Sequence, residues 1–208
     1  MPPSSESKAP DDPGAFGMLR PDQKRVLKGA MYVVGARLAQ RQRSTDEWSI
    51  SLLVGIHRDL FGGLFPEHAA KLRRVDVSFR GHTIPVPEQV LYRLSDIVGA
   101  ARDIIEEANS IGDDSERIQA VLLKIARLHA DCVVVQPFID GNKRWARQVL
   151  SALLVDCGFW PGSRIDARLR ERYMAGIDKS VAGDHEQLAE LIIDGWYRLR
   201  EDFMGGLH

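Results

Sequence analysis

The sequence predicts a mostly α-helical domain with one short β-hairpin. Apolar residues recur at helical spacing through most of the chain, whereas a single stretch from 71 to 87 alternates between apolar and polar residues. The chain has 208 residues, of which 44% are hydrophobic, so it can bury one packed core. We therefore expect a helical bundle that is interrupted by one hairpin.

The N-terminal region is predicted to have two parts. Residues 1–20 are rich in Pro, Ser, Asp and Gly, and we expect them to form a disordered tail. Residues 21–47 take up helical spacing and are predicted to form an N-terminal helical extension. Ser44 and Glu47 have the spacing of a capping box, which predicts that a new helix opens there.

The predicted hairpin lies between this helix and the next. Its first strand alternates at Val75, Val77 and Phe79. A turn follows at residues 80–82, and residues 83–86 form the second strand. Because Pro85 has no N–H to donate to a ladder, this second strand is expected at an edge.

Helical spacing resumes after the hairpin. One apolar stripe runs over residues 118–133 and is broken at residues 136–142. Residues 143–157 are helical again, and residues 161–208 are expected to complete the same domain with further helices.

Composition excludes several classes of protein. The formal net charge is −1 and no basic stripe stands out, so we expect no nucleic acid as partner. No apolar run approaches the roughly 20 residues of a membrane span, so we expect no membrane insertion. The two cysteines, Cys132 and Cys157, lie in apolar helical patterns and match no metal site, which predicts buried reduced thiols. A cytoplasmic location follows as an expectation from reduced thiols and from an N-terminus without a secretory pattern.

The segment from 136 to 147, QPFIDGNKRWAR, indicates an anion-binding turn. A helix ends at Pro137, a glycine-containing turn follows, and a new helix starts near Asn142 or Lys143, with Asn142 as a plausible N-cap. The backbone N–H groups of such a turn point outward together at the positive end of a helix dipole. That arrangement is a nest for phosphate.

The charged residues of this segment admit two interpretations. Arg144 and Arg147 share one helix face, and an arginine fork matches two phosphate oxygens. A carboxylate at Asp140 would repel phosphate unless Mg²⁺ bridged them, which favours a Mg²⁺–nucleotide. Asp-Gly-Asn is also a common turn, and early arginines are often a solvated face. However, basic residues at a helix N-terminus oppose the helix dipole, which is typical of a functional site.

The same segment resembles the Fic signature, His-Pro-Phe-x-Asp/Glu-Gly-Asn-Gly/Lys-Arg-x-x-Arg, and matches each fixed position except the first. The resemblance extends to residues 56–62, to residues 71–73 with the hairpin, and to the dipeptide 128–129. It covers roughly residues 48–160, which are therefore expected to be a Fic core. The resemblance implies a Fic-fold helical bundle with one short β-hairpin, the flap.

The resemblance also implies a role for each matching residue. Asp140 would hold Mg²⁺, and ATP or another nucleotide would be the donor. The phosphate-binding positions would be Gly141, Asn142, Lys143, Arg144 and Arg147. The flap positions that dock a protein substrate as an added strand would be His82, Thr83, Ile84 and Val86. Usual members of the family transfer AMP from ATP to a Ser, Thr or Tyr hydroxyl.

Two positions depart from the usual pattern. Lys143 replaces the commoner glycine and also occurs in Doc-type toxins, which phosphorylate their targets, whereas Arg147 belongs to the AMP-transfer pattern. Gln136 stands where the family has its general base. An amide has no titratable group near neutral pH, and loss of a positioned base costs about 10²–10⁴-fold in rate.

Alternative bases are poorly placed in the sequence. His129 lies two helical turns from position 136, too far for direct proton transfer, and is expected to be a hydrogen-bonded core histidine. His82 at the flap tip is the other candidate, although a solvated turn residue is the plainer interpretation. The chain has no match to the Ser/Thr-x-x-x-Glu-Gly/Asn helix that restrains many Fic proteins, so an antitoxin-like partner could supply it.

Three functional hypotheses remain from the sequence. The first is a protein adenylyltransferase with a degenerate catalytic base. The second is a catalytically inactive Fic pseudoenzyme that acts as a nucleotide- or peptide-binding interaction module. The third, a plain helical interaction module, requires that no nucleotide binds.

Overall fold

The computed structural model describes Phe16, residues 19–111 and residues 115–205. The described part of the chain forms seven α-helices: α1 (Pro21–Leu38), α2 (Ile50–Phe61), α3 (Val90–Ser110), α4 (Ser115–Val135), α5 (Asn142–Asp156), α6 (Arg170–Val181) and α7 (Glu186–Gly205). Short 3₁₀ turns lie at Thr45–Glu47, Pro87–Gln89 and Ala167–Leu169. The prediction of a mostly helical chain is confirmed. None of these helices is long and apolar enough to cross a membrane.

Helix α4 is the centre of the bundle and packs against α3, α5, α6 and α7. Its buried face follows the apolar stripe of the sequence, and both cysteines are buried and unpaired as predicted. Helix α5 is fastened to α2 by the buried Trp145, whose indole N–H donates to the carbonyl of Leu53 at 2.7 Å. The N-terminal end of α5 is thereby held against α2.

The predicted N-terminal extension contains α1, which packs on α2 and α5. Its link to α5 is a buried carboxylate. Asp156 accepts hydrogen bonds from the backbone N–H and side chain of Arg43 and from the indole of Trp48, all at 3.0 Å or less. The expectation for residues 1–20 falls mostly outside the described residues, which include only Phe16, Leu19 and Arg20 of that range.

The capping box at Ser44 and Glu47 is present, but it opens the 3₁₀ turn at Thr45–Glu47. Helix α2 begins later, at Ile50, where the hydroxyl of Ser49 accepts from the N–H of Leu52 at 3.2 Å. Two caps in succession therefore separate the extension from α2.

The prediction of two β-strands between 71 and 87 is wrong, because the described residues contain no strand there. The turn itself is present: Arg80 and Gly81 have φ of 50° and 76°, and one isolated bridge pairs Phe79 with His82. Positive φ at both central residues is the pattern of a type I′ hairpin turn. A longer ladder is prevented on one side because Pro85 lacks an N–H. On the other side, the guanidinium of Arg73 donates hydrogen bonds to the carbonyls of Val75 and Pro85, so these carbonyls already have a donor from outside a ladder.

Candidate functional site

The candidate site is the turn between α4 and α5. The turn begins at Gln136, with φ of 43°, and ends at Gly141, with φ of 81°. The carbonyl of Gly141 accepts from the backbone N–H groups of Arg144 and Trp145, both at 3.0 Å, and starts α5. The first N–H groups of a helix have no intrahelical acceptor, so the start of α5 presents donors to a ligand.

Gly141 is required by its surroundings as well as by its backbone. A Cβ built on Gly141 would lie 2.6 Å from two ring carbons of Phe61 and 3.2 Å from Nε2 of His57. The ring of Phe61 is completely buried and cannot move aside. Only glycine fits this close approach.

Asn142 has a different position from the one predicted. Gly141 is the N-cap and Asn142 is the first residue of α5. The buried Asn142 amide accepts from the N–H of Phe138 at 2.9 Å, and donates to the Phe138 carbonyl at 2.8 Å and to Oε1 of Gln136 at 3.1 Å. Its side chain therefore fixes the turn from inside, which leaves its backbone N–H as the group that can meet a ligand.

His57 supports the turn from α2. Its Nδ1 accepts from the backbone N–H of Ala70 at 3.0 Å, so Nε2 carries the proton and donates to the carbonyl of Asp140 at 3.0 Å. The ring stacks on Phe138 at 3.7 Å between centroids. Burial lowers the pKa of His57 to about 4, so the ring is neutral. The sequence placed this histidine on an apolar helix, within residues 56–62, but did not show which groups it contacts.

Asp140, the predicted metal ligand, has its carboxylate at the mouth of the turn. One oxygen accepts from the N–H of Gly141, and the other accepts from the N–H of Phe16 at 3.3 Å. The ring of Phe16 stacks on Phe65 at 4.2 Å. The part of the chain that the structure describes has no group of three or more His, Cys, Asp or Glu residues that could hold a metal. A cation here would therefore need oxygens from a ligand besides Asp140.

Basic side chains gather beside this carboxylate. Arg144 and Arg147 are half-buried, while Lys143 is at the surface with its amine 6.0 Å from the centre of the Phe79 ring. Partial desolvation of its amine by the surrounding protein lowers the pKa of Lys143 below its ordinary value. This pKa is lowered further by the nearby positive charges of Arg170, Arg147 and Arg144. The site thus concentrates positive charge, as an anion-binding site requires.

Arg170, the first residue of α6, was not predicted as part of the site. It contributes the largest single charge effect on Lys143. It lies 23 positions after Arg147 in the sequence, and no local pattern connects the two. The fold brings them to the same region through the packing of α6 on α4.

Gln136, at the position predicted for the family base, uses its side chain inside the protein. Its Nε2 donates to the carbonyl of Val133 and its Oε1 accepts from Asn142. Its own carbonyl accepts from Nε of Arg73 at 2.7 Å. The amide therefore closes the C-terminal end of α4 and ties it to the start of α5.

The flap is joined directly to the turn through Arg73, a residue that sequence reasoning did not single out. The backbone N–H of Arg73 donates to the carbonyl of Pro137 at 3.0 Å, and an isolated bridge pairs Leu72 with Phe138. Its guanidinium contacts both arms of the flap, at Val75 and Pro85. Burial lowers the pKa of Arg73, yet three carbonyl acceptors hold the guanidinium in place.

The flap tip is held by α6. Nε2 of His82 lies 2.7 Å from Oδ1 of Asp178, and Arg80 donates to the other oxygen at 2.7 Å. Of the remaining predicted docking positions, Thr83 and Val86 are exposed and Ile84 is half-buried. These three line a cleft of about 870 Å³ that α3 and α4 complete. His82 is therefore engaged with Asp178, which holds the flap tip against α6.

His129 is buried and hydrogen-bonded, as predicted. Its Nε2 lies 2.9 Å from the hydroxyl of Tyr173 on α6. Burial lowers the pKa of His129 to about 3, with a further contribution from the charge of Arg147. The histidine is a neutral core residue under the site.

A sequence model of the Fic/DOC family matches residues 47–154, about half of the chain. The chain belongs to the Fic/DOC family. The protein adenylyltransferase fic-1 of Caenorhabditis elegans is 34% identical over 140 residues, which cover 67% of this chain and 25% of that protein. The protein adenylyltransferase Fic of Culex quinquefasciatus is 25% identical over 168 residues, which cover 81% of this chain and 31% of that protein. The chain thus spans between a quarter and a third of the length of these relatives.

Solved structures resemble this fold. A fragment of Fic-1 from C. elegans matches with a TM-score of 0.64 at 23% identity, over 93% of this chain and 56% of that chain. BepC, a VirB-translocated effector protein from Bartonella tribocorum with bound AMPPNP, matches with a TM-score of 0.59 at 17% identity. That match covers 88% of this chain and 90% of BepC. The helical bundle is therefore a Fic fold.

Proposed function

We propose that this protein binds Mg²⁺–ATP at the start of α5 and transfers AMP to a hydroxyl of a protein docked at the flap, at a rate reduced by the lack of a base. The observation that carries the proposal is the grouping of Asp140 with Lys143, Arg144 and Arg147 at one helix N-terminus. The names of the relatives, protein adenylyltransferases, support AMP transfer as the type of reaction.

The residues present fit a magnesium–nucleotide. Mg²⁺ is commonly held by one or two carboxylates together with substrate phosphates, and Asp140 offers one carboxylate beside several cations. When bound, Mg²⁺ would neutralise charge on the phosphates. The backbone N–H groups at the start of α5 and the fork of Arg144 would orient the same phosphates.

The transfer itself needs a place for a proton. The hydroxyl oxygen of the target forms a bond to the α-phosphorus, diphosphate leaves, and the hydroxyl proton must be accepted. Gln136 cannot accept it, because an amide does not titrate near neutral pH. We therefore expect transfer to be about 10²–10⁴-fold slower than with a positioned base.

A second candidate function is a pseudoenzyme that binds nucleotide or peptide without transfer. The observation that favours it is the internal hydrogen bonding of Gln136 to Val133 and Asn142, which engages both the nitrogen and the oxygen of its amide within the protein. Under this alternative the same cradle binds nucleotide, and its occupancy controls a partner at the flap.

Protein docking is proposed for the flap. The exposed Thr83 and Val86 and the half-buried Ile84 border the cleft toward α3 and α4. A segment of the substrate protein would pair with this arm as an added strand. An antitoxin-like partner is proposed as the source of any restraint on nucleotide binding.

The proposed nucleotide site is tested by calorimetric titration of the protein with ATP, GTP, CTP and UTP in the presence of Mg²⁺. Arg144→Ala should weaken binding, because it removes a charged fork from the cradle. The matched control is Arg164→Ala, which also removes an arginine, but one that is bonded to Asp202 in the C-terminal region. No heat from the unmodified protein with any of the four nucleotides at millimolar concentration would refute the proposal.

A further inference from the structure

Arg147 is held in an unusual way. Its guanidinium carbon lies 5.2 Å above the centre of the Tyr173 ring, which is the geometry of a cation–π contact. Its Nε is buried and has no hydrogen-bond partner among the described residues. Within the described part of the chain, Arg147 also forms no ion pair. The aromatic face is therefore its principal support.

Tyr173 is itself immobile. Its side chain is completely buried, and its hydroxyl lies 2.9 Å from Nε2 of His129. Burial raises the pKa of Tyr173 to about 12, so the phenol stays neutral under the cation. His129 is neutral as well, because burial lowers its pKa to about 3. The pair forms a fixed, uncharged platform beneath Arg147.

Stacking determines which part of the arginine remains available. A guanidinium donates its hydrogen bonds in its own plane and contacts an aromatic ring with its face. With its carbon above the Tyr173 ring and its Nε unpaired among the described residues, the guanidinium retains N–H groups for phosphate oxygens. An arginine held this way loses less freedom on binding than one exposed to solvent.

We propose that Tyr173, held by His129, is a positioning residue that fixes Arg147 for the terminal phosphates of ATP. The inference rests on the proposed nucleotide-binding function. Tyr173 lies on α6, outside residues 47–154, which match the Fic/DOC family. The C-terminal helices therefore contribute to nucleotide selectivity as well as to packing, since ATP carries phosphates that AMP lacks.

The test compares calorimetric affinities for ATP and AMP, because only ATP presents terminal phosphates to Arg147. Tyr173→Leu removes the aromatic face, and the ratio of ATP to AMP affinity is expected to fall by about 2- to 30-fold, the range of a cation–π contact. In the Arg147→Ala background the same change should leave the ratio unaltered, since Tyr173 acts through Arg147. A comparable drop in both backgrounds would overturn the proposal.

An isosteric series covers the case in which Tyr173→Leu does not fold. Tyr173→Phe keeps the ring, and replacement of that phenylalanine by mono-, di- and trifluorophenylalanine weakens the ring quadrupole at nearly constant size. The ATP to AMP ratio should fall stepwise along the series, and a flat series would refute the cation–π role. Ile177→Ala, a buried change one turn further along α6, should lower stability and leave the ratio unchanged.

The proposed nucleotide-binding function and the positioning role of Tyr173 can be refuted separately. Absence of ATP binding by the unmodified protein refutes the proposed function and the inference with it. ATP binding that depends on Arg147 but not on the fluorination series leaves the function standing and refutes the inference alone.

Discussion

The two ends of the α4–α5 turn use their polar groups in opposite ways. At the Gln136 end, the side-chain amide and the backbone carbonyl are bonded to Val133, Asn142 and Arg73. At the Arg144 end, cations gather around one carboxylate, and the first N–H groups of α5 lack intrahelical acceptors.

This difference separates binding from chemistry. Hydrogen bonds that are satisfied within the protein contribute to stability, whereas unpaired donors and excess charge favour binding of an anion. The arginine end therefore has the properties of a phosphate site, while the Gln136 end has the properties of a structural cap. If the two ends are independent, substitutions at one end should change nucleotide binding and those at the other should change AMP transfer.

The largest expected effect follows from Gln136→His. An imidazole restores a group that titrates near neutral pH, so transfer of labelled AMP to a protein acceptor should rise by about 10²–10⁴-fold. The measurement is incorporation of label from ATP labelled at the α-phosphate. Gln136→Asn, which keeps an amide and adds no base, is the control. An unchanged rate for Gln136→His would mean that the binding end has also lost its function.

The next effect concerns the close packing of the turn. Gly141→Ala places a Cβ against Phe61 and should weaken Mg²⁺–ATP binding by about two orders of magnitude, because the first turn of α5 must shift. Gly183→Ala is a matched control, since Gly183 also has a positive φ, of 101°, but has open space around it. Calorimetry should show altered binding only for Gly141→Ala, and equal loss in both variants would contradict the steric account.

A smaller effect is expected in the pH dependence of stability. Burial lowers the pKa of folded His57 to about 4 from an ordinary value of 6.5. Between these two pH values the imidazole is protonated in the unfolded chain and neutral in the folded protein. The contribution of neutral His57 to the free energy of unfolding is fully present above pH 6.5 and is lost as the pH falls. The loss between pH 7 and pH 5 is about 2 kcal/mol.

His57→Gln tests this contribution by urea denaturation at both pH values. The variant should lose less stability on acidification than the unmodified protein, while the separate contribution of His129 remains in both. An equally steep pH dependence in the variant would show that His57 is not the titrating group.

The smallest effect concerns the flap tip. Asp178→Asn weakens the contacts with Arg80 and His82, and because the ion pair is half-exposed, the change in stability should stay below about 1 kcal/mol. Hydrogen exchange at residues 79–83 should nevertheless accelerate several-fold. Glu190→Gln, which breaks the exposed pair with Arg172, serves as the control and should leave exchange at the flap unchanged.

The sequence predicted the parts of the structure that depend on local patterns. The helices follow from apolar spacing, and the glycine turn before α5 follows from residues 136–142. The core position of His129 was also predicted, since a histidine on an apolar stripe is buried more often than it is functional.

The features that the sequence did not predict depend on partners far away in the chain. Alternation at Val75 and Val77 indicated a strand, but Arg73 takes the carbonyls that a ladder would need. Asn142 is a residue type that favours the N-cap position, but Gly141 occupies that position. The side-chain amide of Asn142 instead bonds to Phe138 in the preceding turn. The contact of Arg147 with Tyr173 joins α5 to α6, and no spacing rule reports such a pair.

We propose that nucleotide binding at the arginine end does not depend on the residue at position 136. Calorimetric titration of the unmodified protein and of Gln136→His with Mg²⁺–ATP tests it most directly. We expect dissociation constants that agree within about threefold, because position 136 contributes a base rather than a phosphate contact. Binding that appears only in Gln136→His would contradict it.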